Sequence, residues 1–439
     1  MRRSLPRLPS RSWTRRRLCV ALLVAGGPLA AQEIPAPTEL LGEPFFVKKT
    51  WLVEVDNHQD YRVNDATLGY LALDPAGGKL FIAHGPQVEI VDIQTGTLDA
   101  RIHGLSDAKA IVLDPAGTYG YVADGPAGAV VVFDRATPQI VEKIPSCIGA
   151  NSLALEAQSG LLFEVCSNSS SQSAQHDESD RSGYLRHSPA PKVNSPTPSD
   201  ALSFVAVIDT ATRKARLIQP IVGKLGFAQA GADGAVYIAF TDRSGLLRID
   251  AVTLHEAMRG QPVPSSGAPR LRPWDPVSRT SAKTDDALPA LPNDVFSYLP
   301  LYGCDSPRAL AVDGARYRLF TACENTTLFV TDSQTGRLIT TLPIGPGTDD
   351  VGYDPDHRLI FAANGGSGGS LTIIHQHNTD SYHVVQNLPT RQKARTLAVD
   401  SDSGWVYLVV PSMGVKPEHA MSARKPDPAG NFEVLAIGK

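Results

Sequence analysis

The stretch Leu71–Gly96, LALDPAGGKLFIAHGPQVEIVDIQTG, contains three short apolar runs separated by turn residues. The runs are LALD, LFIAH and VEIVD, and the separators PAGGK, GP and QTG contain Gly, Pro or both. Short apolar and β-branched runs between such residues predict β-strands, and alternating polarity predicts strands with one buried face. A three-stranded sheet of this size cannot bury its faces alone, so the stretch predicts a unit that packs against copies of itself.

The unit recurs with the Asp of LALDP as its anchor position. Its copies are anchored at Asp74, Asp114, Glu156, Gly231, Asp313, Asp354 and Asp400. Four intervals between anchors are 40 to 46 residues, and two are longer, 75 and 82 residues. A period near 40 with three or four strands is typical of a β-propeller, in which each blade packs on its neighbours and ring closure removes the open edges. We predict an all-β, seven-bladed β-propeller.

The ring needs a closing strand, because the last copy ends at GNFEVLAIGK without an outer strand. The segment FFVKKTWLVEV, Phe45–Val55, precedes the first anchor and is predicted to complete the last blade. Residues 45–439 are therefore expected to form one propeller domain after a linker at 32–44. The two long intervals predict a Ser-rich insertion at about 167–200 and a Pro-rich insertion at about 256–298, because neither composition supports a packed core.

The N-terminal residues have the pattern of an export signal. MRRSLPRLPSRSWTRRR is basic, LCVALLVAGGPLA is a short apolar core, and Ala30-Ala31-Gln32 fits a cleavage region. The apolar run is too short for a stable membrane anchor. Residues 1–31 therefore predict a signal peptide, for the Sec or the twin-arginine route, and a periplasmic or secreted mature protein.

The net charge of −4 gives no overall attraction to nucleic acid, and we expect a monomer.

The repeats LALDPAGGKLFIAHG, LAVDGARYRLFTAC and LIFAANG followed by LTIIH resemble the YVTN-repeat (YncE-like) family of exported bacterial β-propellers. The resemblance covers nearly all of the chain after residue 45, and it implies the same seven-bladed architecture with WD40-like repeats. Many members of that family have no assigned reaction. The resemblance therefore implies a fold more than a chemistry.

Four cysteines follow the signal segment, and their spacing is matched in two copies. Cys147 and Cys304 each lie nine residues before an anchor, and Cys166 and Cys323 each lie ten after it. Each pair is predicted to join the loop before an innermost strand to the end of the second strand. In an exported chain this arrangement predicts disulfides Cys147–Cys166 and Cys304–Cys323. No CxxC or CxxCH spacing is present, and we expect neither a metal site nor a cofactor.

A ligand site is expected at the mouth of the central channel, where the innermost strands begin. Five residues before each anchor stand Gly69, Lys109, Asn151, Gly226, Arg308, Asp349 and Arg395. Arg and Lys converging on a concave mouth suit a carboxylate or phosphate. We therefore predict Lys109, Asn151, Arg308, Asp349 and Arg395 as ligand-binding residues for a small anion. The alternative is a structural role, in which Arg–Asp pairs between blades satisfy one another.

Three histidines are candidates for a base or for metal ligands. His84 ends the second strand of the first copy, where it is either a base near the mouth or a polar strand end. His375 and His377 form an HxH pair, which places both rings on one face of a strand as metal ligands require. The sequence suggests no third ligand close to them. Outer-face histidines without a metal are therefore the expectation.

Two functions remain in view, and neither involves a recognised catalytic motif. The first is a non-catalytic exported scaffold that binds a small anionic ligand or a protein partner. The second is a lactonase-like hydrolase, because propeller lactonases resemble this repeat and use polar residues at the channel mouth. For that enzyme the candidate catalytic residues are His84, Arg308, Asp349 and Arg395. A metal-dependent version would need a Glu at the mouth, and the ring of strand-start positions contains none.

Overall fold

The computed structural model describes residues 43–55, 68–167, 201–259, 294–412 and 431–439. Their strands form seven four-stranded antiparallel sheets. The innermost strands are β2 (Leu68–Asp74), β6 (Ala108–Leu113), β10 (Ala150–Glu156), β14 (Leu225–Ala230), β18 (Pro307–Asp313), β22 (Thr348–Asp354) and β26 (Thr396–Asp400). Each contacts the innermost strand of the next blade, and the contact between β26 and β2 completes the circle. The prediction of a seven-bladed propeller is confirmed.

The other strands follow outward in the same order in every blade. The second strands are β3 (Lys79–His84), β7 (Tyr119–Asp124), β11 (Leu161–Ser167), β15 (Ala235–Phe240), β19 (Arg318–Cys323), β23 (Leu359–Asn364) and β27 (Trp405–Pro411). The third strands are β4 (Gln87–Asp92), β8 (Ala129–Asp134), β12 (Leu202–Asp209), β16 (Gly245–Asp250), β20 (Thr327–Asp332), β24 (Ser370–Asn378) and β28 (Phe432–Gly438). The outer strands are β5 (Leu98–Ile102), β9 (Gln139–Pro145), β13 (Lys214–Val222), β17 (Phe296–Pro300), β21 (Leu338–Pro343), β25 (Ser381–Pro389) and β1 (Phe46–Val53).

The N-terminal strand closes the ring as predicted. β1 pairs with β28 in the order β1-β28-β27-β26, so the last blade combines the two ends of the described chain. The Phe45 ring packs edge-on against Phe361 of blade 6, and the Phe45 backbone N–H donates to Gln386 Oε1 at 2.9 Å. These contacts hold the first strand to its neighbouring blade.

The core lies between the blades. Among the described residues, a buried apolar cluster fills the interface between each pair of neighbouring blades around the ring. Strand β3 shows the cause, because successive side chains point to opposite faces of a sheet. Phe81 packs toward blade 2, and Ile82 packs toward blade 7. A second strand buried on both faces needs a continuous apolar run, which is the pattern LFIA in the sequence.

The acidic anchors stabilise turns at the end of the channel opposite the mouth. Asp74 Oδ1 accepts from the Gly77 backbone N–H at 3.0 Å, and Glu156 accepts from the backbone N–H groups of Gln158 and Ser159. The Asp that ends several third strands does the same, and the backbone N–H of Thr137 lowers the pKa of Asp134. These carboxylates are acceptors for turn N–H groups, which accounts for their recurrence.

One helix occurs among the described residues, α1 (Ala251–Met258), and it directly follows the third strand of blade 4. Asp250 caps it by accepting from the Thr253 backbone N–H at 2.9 Å. The helix ends at residue 258 and β17 begins at Phe296, both inside the bounds expected for the Pro-rich insertion. The predicted signal peptide, residues 32–42 of the predicted linker, most of the Ser-rich insertion and the middle of the Pro-rich insertion lie outside the described residues.

Candidate functional site

The mouth is the end of the channel at which the innermost strands begin, and a β-bulge recurs there. In six blades the pairing between innermost and second strand shifts register near the strand start. The residues inside these shifts include Gly69, Lys109, Asn151, Gly226, Arg308 and Asp349, and Arg395 directly precedes β26. The extra residue of a bulge is left unpaired in the hydrogen-bond ladder, and its side chain points in a new direction. The positions selected from the sequence therefore coincide with the bulges around the mouth.

Each of the three cations at these positions has a carboxylate partner. Lys109 Nζ lies 2.7 Å from Asp107 Oδ2, and Arg308 Nη2 lies 2.9 Å from Glu324 Oε2. Arg395 Nη1 lies 3.3 Å from Asp349 Oδ2 and joins blade 7 to blade 6. The side chains of Arg395 and Asp349 are 36% and 35% exposed. Ion pairs this exposed contribute little to stability, about 0–1 kcal/mol, so an incoming anion can replace a carboxylate at small cost.

Three other ring positions have structural explanations. A Cβ at Gly69 would lie 2.4 Å from the backbone oxygen of Lys109, so blade 1 approaches blade 2 too closely for a side chain there. At Gly226 a Cβ would lie 3.1 Å from Thr241 Cγ2. Asn151 Nδ2 donates to Ser167 Oγ at 3.4 Å within blade 3. The two glycines let neighbouring parts of the chain approach closely at the mouth. The five residues predicted to bind ligand are the ring positions with polar side chains.

An aromatic pair crosses the channel below the mouth. The rings of Tyr70 in blade 1 and Phe227 in blade 4 are 5.0 Å apart between centroids and meet edge to face. Blades 1 and 4 are not neighbours, so this contact spans the channel. Both residues line a cavity of about 260 Å³ together with groups such as Ser152, Gln229 and Asp350. The pair thus gives the mouth a partly apolar floor.

Tyr70 is buried at the wall of the channel cavity, where the charged groups of the mouth affect its pKa. Burial raises its pKa well above the usual value, the charges of Asp350 and Asp349 raise it further, and those of Arg395 and Arg308 oppose them. The four charged residues belong to blades 5, 6 and 7. Charges from three other blades therefore act on the Tyr70 hydroxyl. Asp349 and Arg395 form an ion pair, Arg308 pairs with Glu324 instead, and ligand binding by these residues stays a prediction. Tyr70 and Phe227 were missed by the sequence argument.

Asp350 is the buried acid of this site, with 6% of its surface exposed. Its Oδ2 accepts from the Leu397 backbone N–H of blade 7 at 3.0 Å. Ser152 occupies the same place in blade 3 and accepts from the Ala228 backbone N–H of blade 4 at 2.9 Å. Burial raises the pKa of Asp350 to about 8, although the backbone N–H groups oppose that rise. At neutral pH Asp350 is therefore mainly a neutral carboxyl group at the cavity wall.

His84 is not part of the mouth. It is 1% exposed and packs edge-on against Phe432, which places it in the interface between blades 1 and 7. Its Nδ1 lies 3.5 Å from Glu89 Oε1, and Glu89 also accepts from Arg101 Nε at 2.8 Å. The strand end does lie on the mouth side, but the side chain points into the sheet interface. His84 therefore does not join Arg308, Asp349 and Arg395.

The disulfides occupy a position that other blades stabilise by hydrogen bonds. Cys147–Cys166 and Cys304–Cys323 form as predicted and tie the loop before an innermost strand to the end of the second strand. In blade 2 the equivalent residue, Asp124, accepts from the Ser106 backbone N–H at 2.9 Å and anchors the same loop. Two disulfides point to an oxidising compartment for this protein.

One buried acid lies beside the first disulfide. Glu164 is 0% exposed, and Cys147 Sγ lies 3.6 Å from its Oε2. Burial raises the pKa of Glu164 to about 7. Cys147, Glu164 and Cys166 are the one set of His, Cys, Asp and Glu donor atoms in the described ranges that lies within 4.8 Å of one another. Both sulfurs belong to a disulfide, so this set is not a metal site.

The fold is that of a seven-bladed, WD40-like β-propeller with charged and polar residues around the channel mouth. No protein-family model and no curated protein matches the chain. Solved structures do match its fold. "Crystal structure of RRP9 WD40 repeats" aligns with a TM-score of 0.56 over 89% of this chain and 97% of that chain at 8% identity. "Structure of U3-55K" aligns with a TM-score of 0.55 over 88% of this chain and 98% of that chain at 8% identity.

Identities this low show the shared fold alone. Membership in the YVTN-repeat family, expected from the repeats, therefore stays a prediction. Within the described part of the chain, no helix is long and apolar enough to cross a membrane.

Proposed function

We propose that this protein is an exported, non-catalytic binding scaffold whose channel mouth binds a small carboxylate-bearing ligand. The observation that carries the proposal is the charged mouth itself, in which Arg395 pairs with Asp349 between blades 7 and 6 while Tyr70 and Asp350 line the channel cavity. The charges of Arg308, Asp349, Asp350 and Arg395 all act on Tyr70. Arg guanidinium groups suit a carboxylate because they donate in a planar fork. A concave site with a partly apolar floor and few convergent polar groups is the usual form of a small-molecule site.

The ligand would use two kinds of contact. Its carboxylate would replace Asp349 as the partner of Arg395 and draw on Arg308, whose own partner Glu324 is 59% exposed. The body of the ligand would lie against the Tyr70 and Phe227 rings. The neutral carboxyl of Asp350 would donate a hydrogen bond rather than repel an anion. This arrangement favours a carboxylate joined to a planar or apolar body over a bare inorganic anion.

The test is a thermal-shift screen followed by calorimetry. The probes are gluconate, benzoate and other small carboxylates, with inorganic phosphate as the bare anion. We expect at least one carboxylate to stabilise the wild-type protein, and we expect the variant with Arg308→Ala and Arg395→Ala to lose that binding by at least about tenfold, because two charge-assisted hydrogen-bonding groups are removed. Arg337→Ala is the matched control, because Arg337 is exposed in a turn of blade 5 far from the mouth.

Two results would contradict the proposal. Unchanged affinity in the double variant would remove the mouth as the binding site. Hydrolysis of a lactone by the wild-type protein, lost in the same variant, would favour the lactonase-like enzyme. His84 was the candidate base of that enzyme, but the His84 ring is buried between blades 1 and 7 and does not reach the mouth.

A protein partner is the second candidate, and two exposed apolar residues favour it. Ile148 is 74% exposed and Tyr302 is 87% exposed, and both lie on mouth-side loops beside a disulfide-bonded cysteine. Loops held by a disulfide lose less conformational freedom on binding, which favours affinity. We expect cross-linking to a partner to disappear in the variant with Ile148→Ser and Tyr302→Ser. The Arg308 and Arg395 double variant separates this surface from the ligand mouth.

Export is part of the same proposal. Residues 1–31 have the composition of a signal peptide, and two disulfides suit an oxidising destination. The repeat resemblance to exported YVTN-type propellers agrees with both. We propose the periplasm or the extracellular medium as the location of the mature protein.

A further inference from the structure

Three histidines lie on one face of blade 6, away from the channel mouth. His375 and His377 lie on β24, and His383 lies on β25 directly opposite His375 in the strand register. Directly paired residues of antiparallel strands project to the same face. The His375 and His377 rings are in contact, with centroids 6.3 Å apart, and His383 is close enough to influence the pKa of His375. The third histidine that the HxH pair lacked in sequence is thus supplied by the neighbouring strand.

The residue between the two histidines holds the strand in this orientation. Gln376 is 0% exposed and projects to the opposite face, toward blade 5. Its Nε2 donates to Asp313 Oδ2 at 3.0 Å and to the Tyr382 hydroxyl at 3.1 Å. Because alternate residues of a strand face opposite ways, this buried network directs His375 and His377 outward together.

The described residues satisfy the cluster only in part, because His383 Nε2 lies 3.4 Å from Ser381 Oγ while a nitrogen of His375 has no such partner. Nδ1 of His375 is buried without a hydrogen-bond partner among the described residues, which is costly for a polar atom. His377 is exposed and His383 is half-buried, so the site is open to solvent on one side. His377 also lies where the pairing of β24 and β25 shifts register. A bulge of this kind lets its ring move toward the other two.

We propose that His375, His377 and His383 form a site for a divalent transition-metal ion such as Zn²⁺. Neutral imidazole nitrogens are preferred ligands of Zn²⁺, Ni²⁺ and Cu²⁺, and three protein ligands with an open fourth position are a known form of zinc site. The nitrogens of the three rings do not all lie within 4.8 Å of one another, and the His375 and His377 rings are 6.3 Å apart, so binding requires side-chain rotations. Arg358 and Lys439, which influence the pKa of His375, oppose the charge of the metal. The site is therefore weaker than a buried structural zinc site.

The experiment is titration of tag-free, metal-stripped protein with ZnCl₂ by calorimetry, and with Co²⁺ by visible absorption. We expect one bound ion per chain and a d–d spectrum of low-coordinate Co²⁺. Single substitutions His375→Ala, His377→Ala and His383→Ala should each weaken binding by at least about tenfold, since even second-shell changes at metal sites cost 10–100-fold. His103→Ala is the matched control, because His103 is exposed in the loop between blades 1 and 2.

One substitution is expected to raise the affinity for Zn²⁺ instead of lowering it. Lys439→Gln removes one of the cations that oppose the metal and should tighten Zn²⁺ binding without touching a ligand. Unfolding curves recorded without metal separate loss of a ligand from loss of the fold. The proposal is overturned if the wild-type protein binds no Zn²⁺, or if the triple histidine variant, still folded, binds it as the wild type does.

Discussion

Asp350→Asn is expected to make the protein markedly more stable at alkaline pH and to leave its stability near pH 4 almost unchanged. The asparagine oxygen can still accept from the Leu397 backbone N–H, as Ser152 accepts from Ala228 in blade 3. The substitution therefore removes an ionisable group and keeps the hydrogen bond between the innermost strands of blades 6 and 7. Urea unfolding at several pH values measures the effect.

The direction follows from the raised pKa of Asp350 in the folded protein, about 8 against an ordinary value of 3.8. A carboxyl that prefers the neutral form when folded contributes its full stability below its unfolded pKa. That contribution is lost as the pH rises from about 4 to about 8, because the unfolded chain ionises and the folded site resists ionisation. At 1.36 kcal/mol per pKa unit the loss is on the order of 5 kcal/mol.

Two further variants bracket this prediction. Glu164→Gln should act in the same direction with a smaller effect, because the pKa of Glu164 is raised to about 7. Asp134→Asn should act in the opposite direction, because hydrogen bonding to Thr137 lowers the pKa of Asp134 and its contribution disappears in acid. A wild-type protein as stable at pH 9 as at pH 5, with Asp350→Asn no different, would show that Asp350 is ionised in the folded state.

Breaking either disulfide is expected to lower the free energy of unfolding by about 3 kcal/mol, the chain-entropy value for a loop of this length. The variants are Cys147→Ser with Cys166→Ser, and Cys304→Ser with Cys323→Ser, and each opens a link of 19 residues in sequence. The two pairs lie in blades 3 and 5 and share no contact partner, so their effects should add. Chemical unfolding of these two variants, and of the variant that combines all four substitutions, under oxidising conditions measures this.

Reduction of the wild-type protein should reproduce the loss seen in the variant that lacks both disulfides. Addition of a reductant to that variant should have no effect, which makes it the control for unspecific action of the reductant. Peptide mapping without reduction identifies the partners directly. Free thiols at these positions in protein from an oxidising compartment would contradict both the pairing and the argument for export.

Much of this molecule follows from its sequence alone, because the repeats are local and closely spaced. The anchors gave seven blades, the unpaired last blade predicted that Phe45–Val55 would close the ring, and matched spacing predicted both disulfides. All three were confirmed. The frame of the repeat also located the ring of mouth residues, because a β-bulge recurs at the same place in six blades.

The contacts that give the mouth and blade 6 their chemistry were decided by tertiary structure. Tyr70 meets Phe227 across the channel, and Asp350 meets Leu397 of the next blade, only because the ring closes. His84 is buried because blade 7 packs over it, although its strand end lies at the mouth.

His383 was within reach of sequence reasoning, since a short turn pairs it with His375, but the strand register had to be known. Secondary structure depends on neighbours in sequence, whereas the direction of a side chain and its partner depend on register, bulges and distant blades.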